Sequence, residues 1–133
     1  MITLGNEQVK RLHKKLLDAT GGLDGLRDES MLDSALSVAF QTSGGVELYP
    51  STAAKIARIA YGLVCNHPFA DGNKRIGTYV MMVLLELNHI ETDFSDDDII
   101  RIGLELADGK MSDKQLLDLI LNAQSSLNQN DRI

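Results

Sequence analysis

Residues 73–88 place the strongest constraint on the fold, because this segment is apolar on almost every side. Its apolar residues recur at helical spacing and also fill the other faces of the helix: Ile76, Val80, Met81, Met82, Val83, Leu84, Leu85 and Leu87. A helix that is apolar nearly all round has to be enclosed by other elements. The segment therefore predicts a buried central helix, around which the rest of the chain packs.

Five further segments have the apolar spacing of amphipathic helices. They are residues 6–20, residues 29–41, a helix capped by Ser51 or Thr52, a helix through residue 107 opened by a capping box at residues 95–98, and a last helix opened by Ser112 and Gln115 that reaches residue 121 or 127. Residues 42–50 predict a loop with at most a short extended piece. The expected fold is all-α, a compact single-domain bundle of about six helices over residues 1–133, with its core at about residues 6–121 and a frayed polar tail at 128–133.

The composition and the isolated reactive residues narrow the classes of function. A net charge of −6 argues against broad nucleic-acid binding, which needs a basic face. The most apolar run, residues 79–87, is interrupted by Glu86 and is too short to span a bilayer, and the N-terminus shows no signal-peptide pattern. We expect a cytoplasmic protein in which Cys65 is a small buried core residue rather than a catalytic thiol. His13 is expected to have a structural role, at the surface or half-buried.

The loop directly before the apolar helix concentrates the polar chemistry of the chain. Residues 67–75 read His-Pro-Phe-Ala-Asp-Gly-Asn-Lys-Arg and combine an imidazole, a carboxylate, an amide and two cations. Pro68 disfavours the helical conformation at His67, so the preceding helix should stop there. Gly72 permits a positive φ, and Asn73 is the expected cap of the next helix. Backbone N–H groups in the first turn would then point outward, where a phosphate binds well.

Each polar residue of this loop suits one part of phosphate chemistry. His67 could take a proton from a hydroxyl at neutral pH, and Asp71 offers hard oxygens for Mg²⁺. Lys74 and Arg75 could balance the charge of a phosphate. Phe69 is expected to anchor the loop in the core. A plain capping role for Asn73 and a surface role for Arg75 remain the structural alternatives.

The loop resembles the motif of the Fic/Doc (Fido) family, His-x-Phe-x-Asp/Glu-Gly-Asn-Gly/Lys-Arg. It matches at every defined position: His67, Phe69, Asp71, Gly72, Asn73, Lys74 and Arg75. The similarity covers about residues 6–121, and the Gly21-Gly22-Leu23-Asp24-Gly25 and Leu48-Tyr49-Pro50 stretches are similar to the death-on-curing (Doc) branch. The resemblance implies the Fido fold and a toxin of a type II toxin–antitoxin system. The chain has no complete copy of the family's self-inhibitory motif, so the resemblance also implies control by a separate antitoxin of the Phd type.

The resemblance further implies ATP and Mg²⁺ as cofactors, and it implies roles at the site. His67 would be the base that deprotonates a target Ser or Thr hydroxyl, Asp71 would hold Mg²⁺, and Asn73 would orient the loop and the phosphate. The implied catalytic residues are His67, Asn73, Lys74 and Arg75, and the implied nucleotide-binding residues are Phe69, Asp71, Gly72, Asn73, Lys74 and Arg75. Residues 44–49 would form the flap that docks the target by strand pairing.

Lys74 bears on which phosphate is transferred. Fic members that transfer AMP have glycine at this position, which leaves an open anion hole. Doc-type members have lysine and are understood to transfer the γ-phosphate of ATP to elongation factor Tu. The resemblance therefore implies a protein Ser/Thr phosphotransferase that arrests translation. Because Gly72 matches the AMP-transferring pattern, AMP transfer to a target hydroxyl is the first alternative. A catalytically weak binding module is the second alternative.

Overall fold

The computed structural model describes residues 1–130, with side chains described through residue 124. Within that part the chain forms six α-helices and one two-stranded hairpin. In chain order they are α1 (Asn6–Thr20), α2 (Glu29–Ser37), β1 (Thr42–Ser43), β2 (Val46–Glu47), α3 (Thr52–Cys65), α4 (Asn73–Leu87), α5 (Asp96–Ala107) and α6 (Asp113–Asn130). The predicted all-α fold of about six helices is confirmed.

The helix starts follow from local capping chemistry. The Ser51 hydroxyl accepts the Ala54 N–H at 3.0 Å at the start of α3, which settles the choice between Ser51 and Thr52. Ser95 and Asp98 form the predicted capping box of α5. At the start of α6, the Ser112 hydroxyl accepts the Gln115 N–H, and the Gln115 side chain accepts the Ser112 N–H. Each of these bonds satisfies an N–H group that has no partner inside its helix.

Helices α3 and α4 share the centre of the bundle. α3 packs against α2, α4, α5 and α6, whereas α4 packs against α1, α3 and α5. Their axes come close at Gly77, where an added Cβ would lie 2.4 Å from Val64 Cγ2. α4 is buried along most of its length, but Tyr79 and Leu87 are exposed, so its enclosure is less complete than the apolar sequence predicts.

Three boundaries differ from the sequence-based expectation. The α-helix predicted for residues 29–41 ends at Ser37, and a 3₁₀ turn over Val38–Phe40 follows it. The expected extended piece in residues 42–50 is a hairpin, in which Thr42 pairs with Glu47 and Ser43 with Val46. Residues 128–130 of the predicted polar tail are the last residues of α6, and the rest of that tail lies outside the described residues. Within residues 1–130, no helix is long and apolar enough to cross a membrane.

Candidate active site

The loop between α3 and α4 forms one wall of an open cleft of about 460 Å³ at the N-terminus of α4. Six of the seven residues that match the motif line this cleft: His67, Asp71, Gly72, Asn73, Lys74 and Arg75. Ala107, at the end of α5, lies on the opposite side. The seventh, Phe69, is only 2% exposed and points into the core, as expected of a loop anchor.

Arg27 fixes the start of this loop. α3 ends at Cys65, before Pro68 as predicted, and His67 then adopts a left-handed conformation with φ of 48°. The Arg27 Nε donates to the His67 carbonyl at 2.5 Å, and its Nη2 donates to the Asn66 carbonyl at 2.9 Å. These bonds satisfy carbonyls at the end of α3 and hold the His67 backbone, while the His67 side chain is exposed at the cleft.

The middle of the loop pairs with residues 25–28. The Pro68 carbonyl accepts the N–H groups of Arg27 at 2.8 Å and Asp28 at 3.0 Å. The Ala70 N–H donates to the Gly25 carbonyl at 3.0 Å, so the two segments run together as an isolated antiparallel bridge. The segment before α2 therefore acts as a backbone template for the loop, a role that its sequence does not reveal.

Asn73 clamps the loop instead of capping the helix, so the predicted capping role is wrong. The N-cap of α4 is Gly72, in the left-handed conformation with φ of 77°, and Asn73 is the first helical residue. The Asn73 Oδ1 accepts the Phe69 N–H, and its Nδ2 donates to the Phe69 carbonyl, both at 3.0 Å. This pair of bonds reaches back across the turn and fixes its curvature.

His13 lies beneath the same turn. It is 1% exposed, so the expectation of a surface or half-buried position is wrong. Its ring stacks on Phe69 with centroids 3.8 Å apart and planes 10° apart. Its Nε2 is 2.8 Å from the Asp71 carbonyl oxygen, which can only accept, so Nε2 is the donor. In the sequence, His13 lies beside the apolar stripe of α1. A polar side chain buried at such a position needs a hydrogen-bond partner, and this was the feature that could have indicated its contact with the loop.

The Asp71 carboxylate is held by two backbone donors. The Leu23 N–H donates to Oδ2 at 3.1 Å, and the Gly72 N–H donates to Oδ1 at 2.8 Å. These hydrogen bonds, together with the Arg75 guanidinium, hold the pKa of the Asp71 carboxyl below its usual value. Gly22 makes room for this arrangement, since a Cβ there would lie 2.6 Å from Asp71 Oδ2.

The chemistry around Asp71 is compatible with Mg²⁺. Within the described residues there is no group of three or more His, Cys, Asp or Glu side chains that could hold a metal ion. Mg²⁺ usually binds one or two carboxylates and completes its shell with waters and phosphate oxygens. A single ionised carboxylate beside this open cleft is compatible with that requirement.

The first turn of α4 presents free donors to the cleft. Within the described residues, the N–H groups of Asn73, Lys74 and Arg75 have no acceptor, and the Gly72 cap offers no side chain. The Lys74 side chain is exposed at the same place. Outward N–H groups at a helix start, reinforced by the helix dipole, bind anions. The Arg75 guanidinium bonds to Thr20 Oγ1 and, at 3.3 Å, to the Gly21 carbonyl, so α1 orients it.

Two further features that the sequence singled out are Cys65 and the segment of the hairpin. Cys65 is half-buried rather than fully buried, with Sγ 3.6 Å from the Leu106 carbonyl, and burial raises the pKa of its thiol. The hairpin β1–β2 exposes Val46 and is held from α3 by Lys55. The Lys55 Nζ is 3.0 Å from a Glu47 carboxylate oxygen and also bonds to the Tyr49 carbonyl.

Comparisons with known proteins agree with this geometry. The model of a family described as the Fic/DOC family matches residues 3–85, which include the whole loop and the hairpin. The chain is also 35% identical over 81 residues to a protein named Toxin Doc from Mycolicibacterium smegmatis (strain ATCC 700084 / mc(2)155). That match covers 59% of this chain and 62% of the relative, so the chain spans less than two thirds of the relative's length. On the strength of the family match over most of the chain, this protein belongs to the Fic/DOC family.

Proposed function

We propose that this protein is the toxin of a toxin–antitoxin pair and transfers the γ-phosphate of ATP to a Ser or Thr hydroxyl of a translation protein such as elongation factor Tu. The observation that carries the proposal is the cleft at the start of α4. There an exposed imidazole, an ionised carboxylate, an exposed lysine and three free backbone N–H groups lie together. Such a set suits a triphosphate and an attacking hydroxyl, and the similarity to Toxin Doc supports the biological setting.

In this proposal His67 is the general base. The hydroxyl oxygen of the target attacks the γ-phosphorus, the bond to the β–γ bridging oxygen breaks, and ADP leaves. His67 takes the hydroxyl proton. Its side chain is exposed while its backbone is held by Arg27, so the imidazole can meet a protein substrate without the loop moving. A positioned base contributes about 10²–10⁴-fold to such a transfer.

The phosphates would bind to the N–H groups of Asn73, Lys74 and Arg75. Asp71 would hold Mg²⁺, which when bound neutralises phosphate charge that develops during the transfer. The backbone donors on Asp71 keep its carboxylate ionised and directed, so it is ready to act as a ligand. The Phe69 side chain is buried, and we assign it a supporting role beneath the nucleotide site.

Lys74 favours transfer of the γ-phosphate over transfer of AMP. Its side chain lines the cleft beside the free N–H groups of α4, where an AMP-transferring member would leave space for a phosphate. The side chain also brings a positive charge close to the oxygens that gain charge in phosphoryl transfer. The backbone donors are present with any residue at position 74, so Lys74 would influence the orientation of the nucleotide through its side chain.

The test is transfer of label from ATP to purified elongation factor Tu and to bacterial lysate. Label should appear on protein from γ-labelled ATP and not from α-labelled ATP. His67→Ala should lose about 10²–10⁴-fold of the activity, whereas His89→Ala, at the other exposed histidine, should keep it. Label from α-labelled ATP would show AMP transfer instead. Full growth arrest by a folded His67→Ala variant would support a binding module.

A matched pair of variants tests Lys74. Lys74 and Lys114 are both exposed and are the second residues of α4 and α6, so replacement by glycine costs the same helix propensity at both, at most about 1 kcal/mol. Lys74→Gly should weaken γ-phosphate transfer and open weak AMP transfer, and Lys114→Gly should change neither. Equal effects of the two variants would remove Lys74 from the reaction.

The proposal includes a second chain that keeps the toxin inactive in the cytoplasm. We propose a Phd-type antitoxin whose disordered segment folds on binding. Expression of the wild type alone should arrest growth, and coexpression with the small gene beside it should restore growth. Harmless expression of a protein that is active in the label assay would contradict this part of the proposal.

A further inference from the structure

We propose that His13 is a positioning residue, which holds the Asp71 carboxylate at the cleft through a hydrogen bond to the Asp71 backbone. The inference rests on the proposed function only where Asp71 is taken to bind the metal. His13 itself is buried on α1 and does not line the cleft, so it acts through the loop and not on a substrate.

His13 contacts the loop in two ways. Its ring lies flat on Phe69, and its Nε2 donates to the carbonyl of Asp71 at 2.8 Å. His13 therefore contacts the turn at two residues, Phe69 and Asp71, which are two positions apart in the sequence. An aliphatic core residue could supply neither contact in full, since stacking needs a flat ring and the carbonyl needs a donor.

The hydrogen bond fixes the direction of the Asp71 side chain. With the Asp71 carbonyl tied to His13, the Cα–Cβ bond of Asp71 has a set direction, and the carboxylate reaches the N–H groups of Leu23 and Gly72. Without the bond, the peptide between Asp71 and Gly72 could rotate. Gly72 has no Cβ to hinder that rotation, so the restraint on this peptide comes from His13 and from the Gly72 N–H bond to Asp71 Oδ1.

The packing between α1 and the start of α4 leaves little space around His13 and Gly72. A Cβ at Gly72 would lie 3.6 Å from His13 Nε2 and 3.3 Å from Leu17 Cδ2, so α1 packs directly against the start of α4. Groups that orient a metal ligand typically change metal affinity or activity by about 10–100-fold when they are removed. We expect an effect of that size from the loss of the His13 donor.

Two substitutions separate the donor from the ring. His13→Phe keeps a ring that can stack on Phe69 but has no donor. His13→Gln keeps a side-chain N–H at about the position of Nε2 but has no ring. If His13 only fills the core, the phenylalanine variant should be the milder one. If it positions Asp71, the glutamine variant should be the milder one.

The first readout needs no ligand and no activity. Amide hydrogen exchange at Leu23 and Gly72 reports whether their N–H groups still bond to the Asp71 carboxylate. Exchange at both should be about tenfold or more faster in His13→Phe and close to wild type in His13→Gln. Because this readout is independent of transfer, it stands even if the proposed reaction is wrong.

The second readout is the Mg²⁺ concentration that gives half-maximal transfer. His13→Phe should raise it by about 10–100-fold, while His13→Gln stays within a few-fold of wild type. His89→Phe and His89→Gln are the controls, since His89 is exposed and remote in sequence from the loop. Thermal unfolding confirms that each variant folds, and His13→Met replaces His13→Phe if the latter does not.

The outcomes decide the proposal. Wild-type exchange at Leu23 and Gly72 in a folded, donor-free variant would overturn it. Equal exchange changes in the phenylalanine and glutamine variants would also overturn it and leave His13 as a packing residue. Altered exchange with an unaltered Mg²⁺ requirement would uphold the positioning of Asp71 and instead contradict its role as a metal ligand.

Discussion

Gly22 and Gly25 provide a matched test of how closely the chain approaches Asp71. Both glycines have φ of +123°, a conformation that other residues rarely adopt. A Cβ at Gly25 would meet nothing within 4 Å, whereas one at Gly22 would lie 2.6 Å from Asp71 Oδ2 and 3.1 Å from Leu17 Cδ2. Replacement by alanine therefore imposes similar backbone strain at both sites and a steric conflict at only one.

The expected magnitudes follow from this difference. Backbone strain should lower the unfolding free energy by about 1–3 kcal/mol in both variants. In Gly22→Ala the Asp71 carboxylate has to move, since it is the flexible partner in the contact, and it then loses its bond to the Leu23 N–H. Because this hydrogen bond to a charged group contributes to stability, Gly22→Ala should be less stable than Gly25→Ala.

Urea unfolding measures the stability of each variant. The Mg²⁺ concentration that gives half-maximal transfer measures the effect of each substitution on the site. Gly22→Ala should need about 10–100-fold more Mg²⁺ for half-maximal transfer, while Gly25→Ala keeps a requirement close to wild type. Equal destabilisation and equal Mg²⁺ requirements for the two variants would refute the reasoning, because the displacement of Asp71 would then have no consequence.

Three further predictions concern other residues. Since backbone donors lower the pKa of Asp71, its contribution to stability is complete above the ordinary aspartate pKa of about 3.9 and is lost as the pH falls below it, through the lower pKa of the folded state. Urea unfolding should show this loss in the wild type and not in Asp71→Asn. The family resemblance implies that residues 44–49 dock the target. Lys55→Met frees the hairpin at Glu47 and Tyr49, so on that reading it should raise the KM for the protein target several-fold and leave the KM for ATP unchanged. Because burial raises the pKa of Cys65, alkylation at pH 8 should be slower than for a free cysteine, and Cys65→Ala should keep full transfer.

The helix starts could be predicted from the sequence because their causes are local. Ser51, Ser95 and Ser112 each bond to an N–H three residues further along the chain. Helix ends were less certain, since tertiary packing decides whether the last turn is α or 3₁₀. The turn over Val38–Phe40 is of this kind.

The residues of the site could be predicted because they are consecutive, but the contacts that hold them could not. His13 reaches Asp71 across 58 positions, and Arg27 reaches His67 across 40. No spacing rule links residues that far apart. The role of Asn73 could not be predicted for a related reason. A short amide side chain suits both a helix cap and a clamp on the preceding loop. The structure decides between them, because the left-handed Gly72 is the cap of α4.

The start of α4 has one more consequence, for the stability of the protein as a whole. Its cap is a glycine, so three N–H groups remain without the side-chain oxygen that closes α3, α5 and α6. An anion that binds there does what a capping serine does elsewhere in the chain. Binding and folding are then thermodynamically linked, and the midpoint of thermal unfolding rises with ligand concentration. In the proposed function, the bound nucleotide would complete the helix on which the site is built.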